Sequence, residues 1–350
     1  MKNNQKGFLA LAMSTLLFIA GCGAGNANTA NNDAANAAAT TAPTAEASSS
    51  AAPAADDVNI RFGYSPWLGS AGAIVANEKK IFADKGANVE FVQMEGNTKD
   101  AFMSGKLDAV VQSLDAVVQM KANEDAKDPV QVIAVIDRSK GADGIIAAND
   151  IAALQDLKGK DIAVSIGSVA HFLLLHALQT VDLKEADVNI VNMNNNLAGS
   201  TFMAGQVDAA VTWEPYLSEA AAKDGHLLYS TADAPNLIVD ALVVKKSMID
   251  EHPEALKAMV AAFDEGLELF NTTDEGKQIV ADALDMDLAA VNSTIATLDL
   301  TTADASKTML VDNKTEWETT MGSFSAFFMD QKIITSPVDT AGIINGFLYE

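Results

Sequence analysis

The sequence predicts an α/β protein of two lobes, on three observations. Short β-rich runs alternate with amphipathic stretches, the pattern of parallel strands covered by helices. The stretch from Val58 to Glu350 is roughly 290 residues, more than one core of ordinary size accommodates. A ten-residue segment, Phe102-Met103-Ser104-Gly105-Lys106-Leu107-Asp108-Ala109-Val110-Val111, recurs 100 residues later as Phe202-Met203-Ala204-Gly205-Gln206-Val207-Asp208-Ala209-Ala210-Val211. Six of ten positions are identical, and each copy reads as a helix end, a Gly stop, an Asp and a strand, so one motif is expected once per lobe. Two copies do not make a solenoid.

The chain opens on a segment excluded from the fold. Lys2 and Lys6 precede an uncharged, mostly apolar run from Phe8 to Ala20. That run is shorter than the ~20 residues a membrane span needs, and has the length of a signal-peptide core. It ends in Ile19-Ala20-Gly21-Cys22, which looks like a lipobox: cleavage after residue 21 leaves Cys22 as a lipidated N-terminus. Cys22 is the single cysteine of the chain, so no internal disulfide is possible. Residues 23 to 57 are Ala, Asn, Thr, Ser and Pro with almost no large apolar side chain; such a stretch buries too little to offset its ordering entropy and is expected to be a tether.

Beyond it, strands are expected at Val58–Tyr64, Val89–Met94, Asp108–Gln112, Val130–Asp137, Gly144–Ala148, Asp161–Ser165, Asp187–Met193, Asp208–Trp213, Leu227–Tyr229 and Asp240–Val244, with helices between them. The plainest helix runs from Pro253 to Phe270. Leu256, Met259, Val260, Phe263, Leu267 and Phe270 form its apolar stripe, and Pro253 suits a first turn. The formal charge of −24 repels nucleic acid and anionic lipid surfaces and names no ligand.

Several stretches resemble one family. Gly63-Tyr64-Ser65-Pro66-Trp67 follows the first strand, and the two Phe-Met-x-Gly-x-x-Asp-Ala corners come next. Asp156-Leu157-Lys158-Gly159-Lys160 leads into a strand, and Thr212-Trp213-Glu214-Pro215-Tyr216 ends another. Together they are similar to the solute-binding proteins of ABC importers for nitrate, taurine, aliphatic sulfonates and thiamine-precursor pyrimidines, over roughly Val58 to Phe270. The resemblance implies a periplasmic-binding-protein-like fold of type II, a Venus flytrap whose lobes are joined by two crossings and close over a small solute. The crossings are expected near Gly144–Asp150 and Asp240–Lys245. Residues 58 to 148 with 245 to 350 then form lobe one, and 149 to 244 lobe two. The implied partners are a small-molecule solute and the permease and ATPase subunits of an importer. The setting is extracytoplasmic, on a lipid anchor, as a monomer without cofactor, metal or nucleic acid.

Ligands of open parallel sheets sit beyond the carboxyl ends of the strands. Residues there are Trp67, Gln112, Asp115, Asp137, Ser165, Ser168, His171, Trp213 and Glu214. Two tryptophans, one per lobe, with three carboxylates (Asp115, Asp137 and Glu214) suit a small cation: a guanidinium, amidine or amine. With Arg61 and Arg138 the only arginines, a guanidinium clamp on sulfonate or nitrate is less favoured. A helix opening after Ser165–Ser168 argues the other way, since its free N–H groups attract an anion. A zwitterion such as taurine, or an aminopyrimidine stacked on Trp beside Glu214, also fits. Each residue has a plainer reading as well. The tryptophans suit a core, Asp115 and the serines suit helix caps, Asp137 suits a partner for Arg138 or a lysine, Glu214 suits a first helical turn, His171 suits a core or rim histidine, and Asp240 suits either a hinge or the cleft.

Catalysis has little sequence support. Gly-x-Ser-x-Gly, Ser-x-x-Lys and phosphate-loop motifs are absent from the sequence. His171 and His176 lie five apart, about 140° around a helix, a poor spacing for a shared zinc. Asp285-Met286-Asp287 lacks the glycine of a calcium loop. Relatives that synthesise the thiamine pyrimidine use a Cys-rich motif that this sequence lacks.

Overall fold

A computed structural model describes residues 58–94, 97–223 and 225–349. Cys22, the leader and the tether lie outside these residues. In chain order the elements are β1 (Asn59–Tyr64), α1 (Ala71–Glu78), α2 (Ile81–Asp84), β2 (Asn88–Gln93), α3 (Thr98–Met103), β3 (Ala109–Ser113), α4 (Leu114–Ala122), β4 (Val130–Ser139) and β5 (Asp143–Ala148). There follow β6 (Asp161–Val164), α5 (Val169–Gln179), β7 (Asn189–Asn192), α6 (Asn195–Met203), β8 (Ala209–Trp213), α7 (Tyr216–Ala221), β9 (Gly225–Ser230) and β10 (Val239–Lys245). The last are α8 (Lys246–Glu251), α9 (Pro253–Thr272), α10 (Asp274–Ala283), α11 (Leu288–Ile295), β11 (Leu298–Leu300), α12 (Ala303–Lys307) and α13 (Lys314–Asp330).

The strands form two sheets, ordered β11-β4-β10-β3-β1-β2 and β7-β6-β8-β5-β9. Both are helix-covered, so their strands are apolar on each face. In β10, Leu242 and Val244 join the core beneath α1 and α9, while Ala241 and Val243 join the core beneath α4 and α13. The second sheet divides likewise, Ile145, Ile162 and Val211 packing on α5 and Ile146, Ala163 and Ala210 on α6 and α7. The predicted stripe of α9 is buried throughout. That helix approaches α1 closely because Gly72 and Gly266 face each other: a Cβ on Gly266 would lie 2.0 Å from the Gly72 carbonyl oxygen.

The ten expected strands all form, with ends shifted by one or two residues, and β11 is an eleventh that its three residues did not announce. The expected parallel pattern holds for some neighbouring strands of the two sheets but not for all. β10 runs antiparallel between β3 and β4, and β5 runs antiparallel between β8 and β9. The chain leaves the first sheet after β4 and enters the second as β5; it leaves the second after β9 and returns as β10. These passages, at residues 139–143 and 230–239, fall a few residues before the expected ones. A strand arriving directly from the other sheet enters against its neighbours' direction, since it has no crossover helix to reverse it.

The repeated decapeptide does the same work twice. The Asp108 carboxylate accepts the backbone N–H of Arg61 at 2.9 Å at the foot of β1, and the Asp208 carboxylate accepts that of Asp161 at 2.8 Å at the foot of β6. Gly105 and Gly205, at φ 75° and 67°, end α3 and α6 in the left-handed conformation, which glycine adopts without the strain a Cβ would bring. The order β2-β1-β3-β10-β4 thus matches β7-β6-β8-β5-β9 strand for strand.

Candidate functional site

Antiparallel entry of β5 and β10 decides what reaches the cleft between the sheets. At that edge the carboxyl ends of β3 and β8 lie beside the amino ends of the two reversed strands. Asp240 pairs in register with Ser113 and with Asp137, and Asp143 pairs with Trp213. Four acidic or polar positions from two sheets therefore converge where the chain changes sheet.

Two adjoining chambers open there, sharing Ser65, Pro66, Trp67 and Trp213 in their walls. The inner one has a volume of about 280 Å³ and is lined by Gln112 and Asp240 of the first sheet with Trp67 from the loop after β1, and by Asp143 and Trp213 of the second with Val169 at the start of α5. The outer one, about 640 Å³, is bordered by Asn195, Glu214 and Glu219 on one side and by Asp285 and Met286 on the other. Among the described residues lining either chamber there is no lysine or arginine.

The carboxyls lining the inner chamber, Asp143 and Asp240, and those buried behind it, Asp137 and Asp115, are electrostatically unrelieved. Asp143 is 7% exposed, and its Oδ2 has no hydrogen-bond partner. Burial, with the charges of Glu214 and Asp115, pushes it up to about 6 against the hydroxyl of Ser139. Asp240 is half-buried; burial and then the charges of Asp143 and Asp115 push it up to about 7. Asp137 is buried beneath Trp67, and burial and the charge of Asp240 hold it well above the usual carboxylate range, although the Trp67 Nε1–H donates to its Oδ2 at 3.2 Å. Asp115 sits in the first turn of α4, buried, raised by burial and opposed by hydrogen bonds from the Ser113 hydroxyl and the Ala116 N–H. Burying several carboxyls together without a cation is costly and calls for a positive charge or shared protons.

Among the sequence candidates, Trp67, Gln112 and Trp213 line the inner chamber and Trp213 and Glu214 the outer. Gln112 is held by its Nε2–H donating to Thr98 Oγ1 at 2.7 Å. Glu214 also takes the plainer role, accepting from the Ser218 N–H at 3.1 Å and hydroxyl at 2.8 Å in the first turn of α7. Asp137 does not pair with Arg138, whose guanidinium donates instead to Asp299 and to Asn236 Oδ1. Arg61 is likewise committed, to Asp108 at 2.6 Å.

Ser165, Ser168 and His171 stand behind the wall. The Ser168 hydroxyl donates to the Ser165 carbonyl at 2.8 Å at the N-cap of α5, and Val169 is the residue of that turn lining the chamber. His171 is fully buried and packs edge-on against Phe327 at 5.6 Å. Burial lowers its pKa, opposed by Glu185 with Oε1 3.6 Å from Nε2.

Asp143 escaped the sequence reading and Asp240 was left undecided there for one reason. Both lie at the amino ends of strands that run the other way, so neither is a carboxyl-end residue. An Asp immediately before an apolar strand, close to an expected crossing, was the available signal.

A family model described as NMT1/THI5 like matches residues 67–273, more than half of the chain. The taurine-binding periplasmic protein of Escherichia coli (strain K12) is 28% identical over 211 residues, which span 58% of this chain and 64%, a little under two thirds, of that protein. The crystal structure of the periplasmic aliphatic sulphonate binding protein SsuA from Escherichia coli superposes with TM-score 0.68 at 20% identity, covering 81% of this chain and 90% of that one. The desulfurization enzyme DSZB carries the same fold at TM-score 0.62 and 15% identity, over 83% of this chain and 97% of that one.

Proposed function

The chain belongs to the NMT1/THI5 like family, and from that premise we propose that it is the extracytoplasmic solute-binding subunit of an ABC importer whose ligand is a small organic cation, a guanidinium or amine. The protein binds its ligand and does no chemistry on it. Cys22 carries the lipid that tethers it, as a monomer, to the membrane. The two sheets with their helices act as lobes that close over the ligand, hinged at residues 139–143 and 230–239.

One observation carries the charge of the ligand. Asp143 presents an unpartnered, buried Oδ2 at a chamber that also receives Asp240 and is walled by two indoles, with no basic side chain in the lining. A bound cation relieves the repulsion among these acids, and its N–H groups supply the missing donors. The indole faces add about 0.5–2 kcal/mol of cation–π attraction.

A second reading, an anionic sulfonate or a zwitterion such as taurine, draws support from the likeness to taurine-binding and aliphatic sulphonate binding proteins and from Val169, which brings the N-terminus of α5 to the inner chamber. Titration calorimetry of guanidinium, methylguanidine, acetamidine, alkylamines, aminopyrimidine, taurine, ethanesulfonate and nitrate separates the two. The cation reading expects micromolar or tighter binding among the first four. Binding confined to sulfonate or nitrate overturns it.

A further inference from the structure

The outer chamber carries a second unmet requirement. Asn195 lines it, is only 5% exposed, and its Oδ1 has no hydrogen-bond partner. The rest of that turn is occupied: the Asn194 side chain accepts from the Leu197 N–H at 2.9 Å, and the Asn195 carbonyl accepts from Thr212 Oγ1 at 2.9 Å. An acceptor left bare in this way is unfavourable unless a donor meets it. The same chamber is lined by the carboxylates of Glu219, Asp285 and Glu214, the last already held by Ser218, without a basic residue in the lining.

The N-terminus of α6 offers N–H groups that favour an anion. Three carboxylates and a bare carbonyl oxygen outweigh it. Because Trp67 and Trp213 belong to the walls of both chambers, a ligand held by Asp143 and Asp240 has a continuous path past the two indoles into the outer one.

We infer that the ligand is an elongated dication: one cationic head in the inner chamber, a short alkyl linker between the indoles, and a terminal amine donating to Asn195 Oδ1 within the field of Glu214, Glu219 and Asp285. The inference rests on the cation reading of the inner chamber and adds the class of solute, a guanidino- or amino-alkylamine.

Calorimetry with three ligands of nearly equal length tests it: butylguanidine, 4-aminobutylguanidine and 4-guanidinobutyrate. The amine-ended ligand should bind at least about tenfold tighter than butylguanidine, and the carboxylate-ended one more weakly than either. Asn195→Ala should lower the ratio of amine-ended to alkyl-ended affinity about threefold to tenfold. Glu219→Gln, at an exposed position with no burden on folding, should lower it about twofold to fivefold. Equal affinities for butylguanidine and its amine-ended analogue overturn the second subsite and leave the inner one standing. Preferred binding of the carboxylate-ended ligand overturns the subsite as well, as does an amine preference that survives both substitutions. Failure of all three ligands to bind overturns the inner chamber's cation reading, and the dication with it.

Discussion

The indole Nε1–H of Trp67 donates to Oδ2 of Asp137 at 3.2 Å, joining the first loop of the cleft to the end of β4 seventy residues later. Gly69 is there because of this pair: a Cβ at that position would lie 1.8 Å from the same carboxyl oxygen and 2.6 Å from the indole nitrogen. One wall of the inner chamber is thus set by a buried acid that never touches the cavity. Trp67→Phe removes the donor from a buried carboxyl and should cost about 1–3 kcal/mol of stability, read by urea unfolding. Gly69→Ala, which adds one methyl group outside the inner chamber, should weaken ligand binding as Trp67→Phe does. Native affinity in Gly69→Ala would show that the pair does not position the indole.

Asp143 and Asp240 are expected to trade stability for binding. Asp143→Asn keeps the shape and removes a charge from an unrelieved acidic group, so the ligand-free protein should be more stable at pH 7.5, by about 1–3 kcal/mol. For a chain of this size that is roughly 2–4 °C per kcal/mol in Tm. Cation affinity should fall at least about tenfold. Differential scanning calorimetry and titration calorimetry on one preparation check both. Loss of binding together with loss of stability would point to a structural role instead.

Acidification should weaken capture. With Asp240 at about 7 and Asp143 at about 6, protons replace the ligand's charge as pH falls, so affinity for a cation should drop at least about tenfold between pH 8 and pH 5.5. Stability of the ligand-free protein should move the other way. Carboxyls whose folded pKa is raised bind protons more tightly folded than unfolded, so their contribution grows as pH falls from 8 toward 5. His171, lowered by burial, opposes them below about 6.5, where the unfolded chain protonates it, but it is one group against Asp137, Asp143 and Asp240. A Tm higher at pH 5.5 than at pH 8 without ligand, reversed by saturating cation, is the expected pattern.

The repeated corner supplies a control far from the chambers. Asp108→Asn leaves Arg61 without its carboxylate and weakens the tie at the foot of β1, at an expected cost of about 1–2 kcal/mol. Asp208→Asn breaks the equivalent tie to Asp161, which has no bidentate arginine, and should cost less. Ligand affinity should stay within about twofold in both, measured by calorimetry.

The repeat shows how much of the fold was readable in the chain. Helix stop, glycine turn, aspartate anchor and strand are local chemistry, and local chemistry repeats legibly, so both corners and ten strands follow from it. Strand direction does not, because it depends on which sheet the next segment joins. Asp143 and Asp240 were lost with it. Trp67, Trp213 and Gln112 line the inner chamber from the carboxyl ends of parallel strands, where such residues are expected. Asp115 and His171 follow such strands too, yet both are buried in the fold, His171 against Phe327 of α13, while the Ser168 hydroxyl is spent on the Ser165 carbonyl; packing decides this rather than position along the chain.

A crystal structure of the protein grown with a guanidinium or amine ligand tests the central claim most directly. The account predicts the cation in the inner chamber within hydrogen-bond distance of Asp143 Oδ2 and Asp240, its plane or alkyl arm against Trp67 and Trp213. A sulfonate or other anion in that chamber, held by backbone N–H groups with Asp143 and Asp240 turned away or bonded to each other, would contradict it.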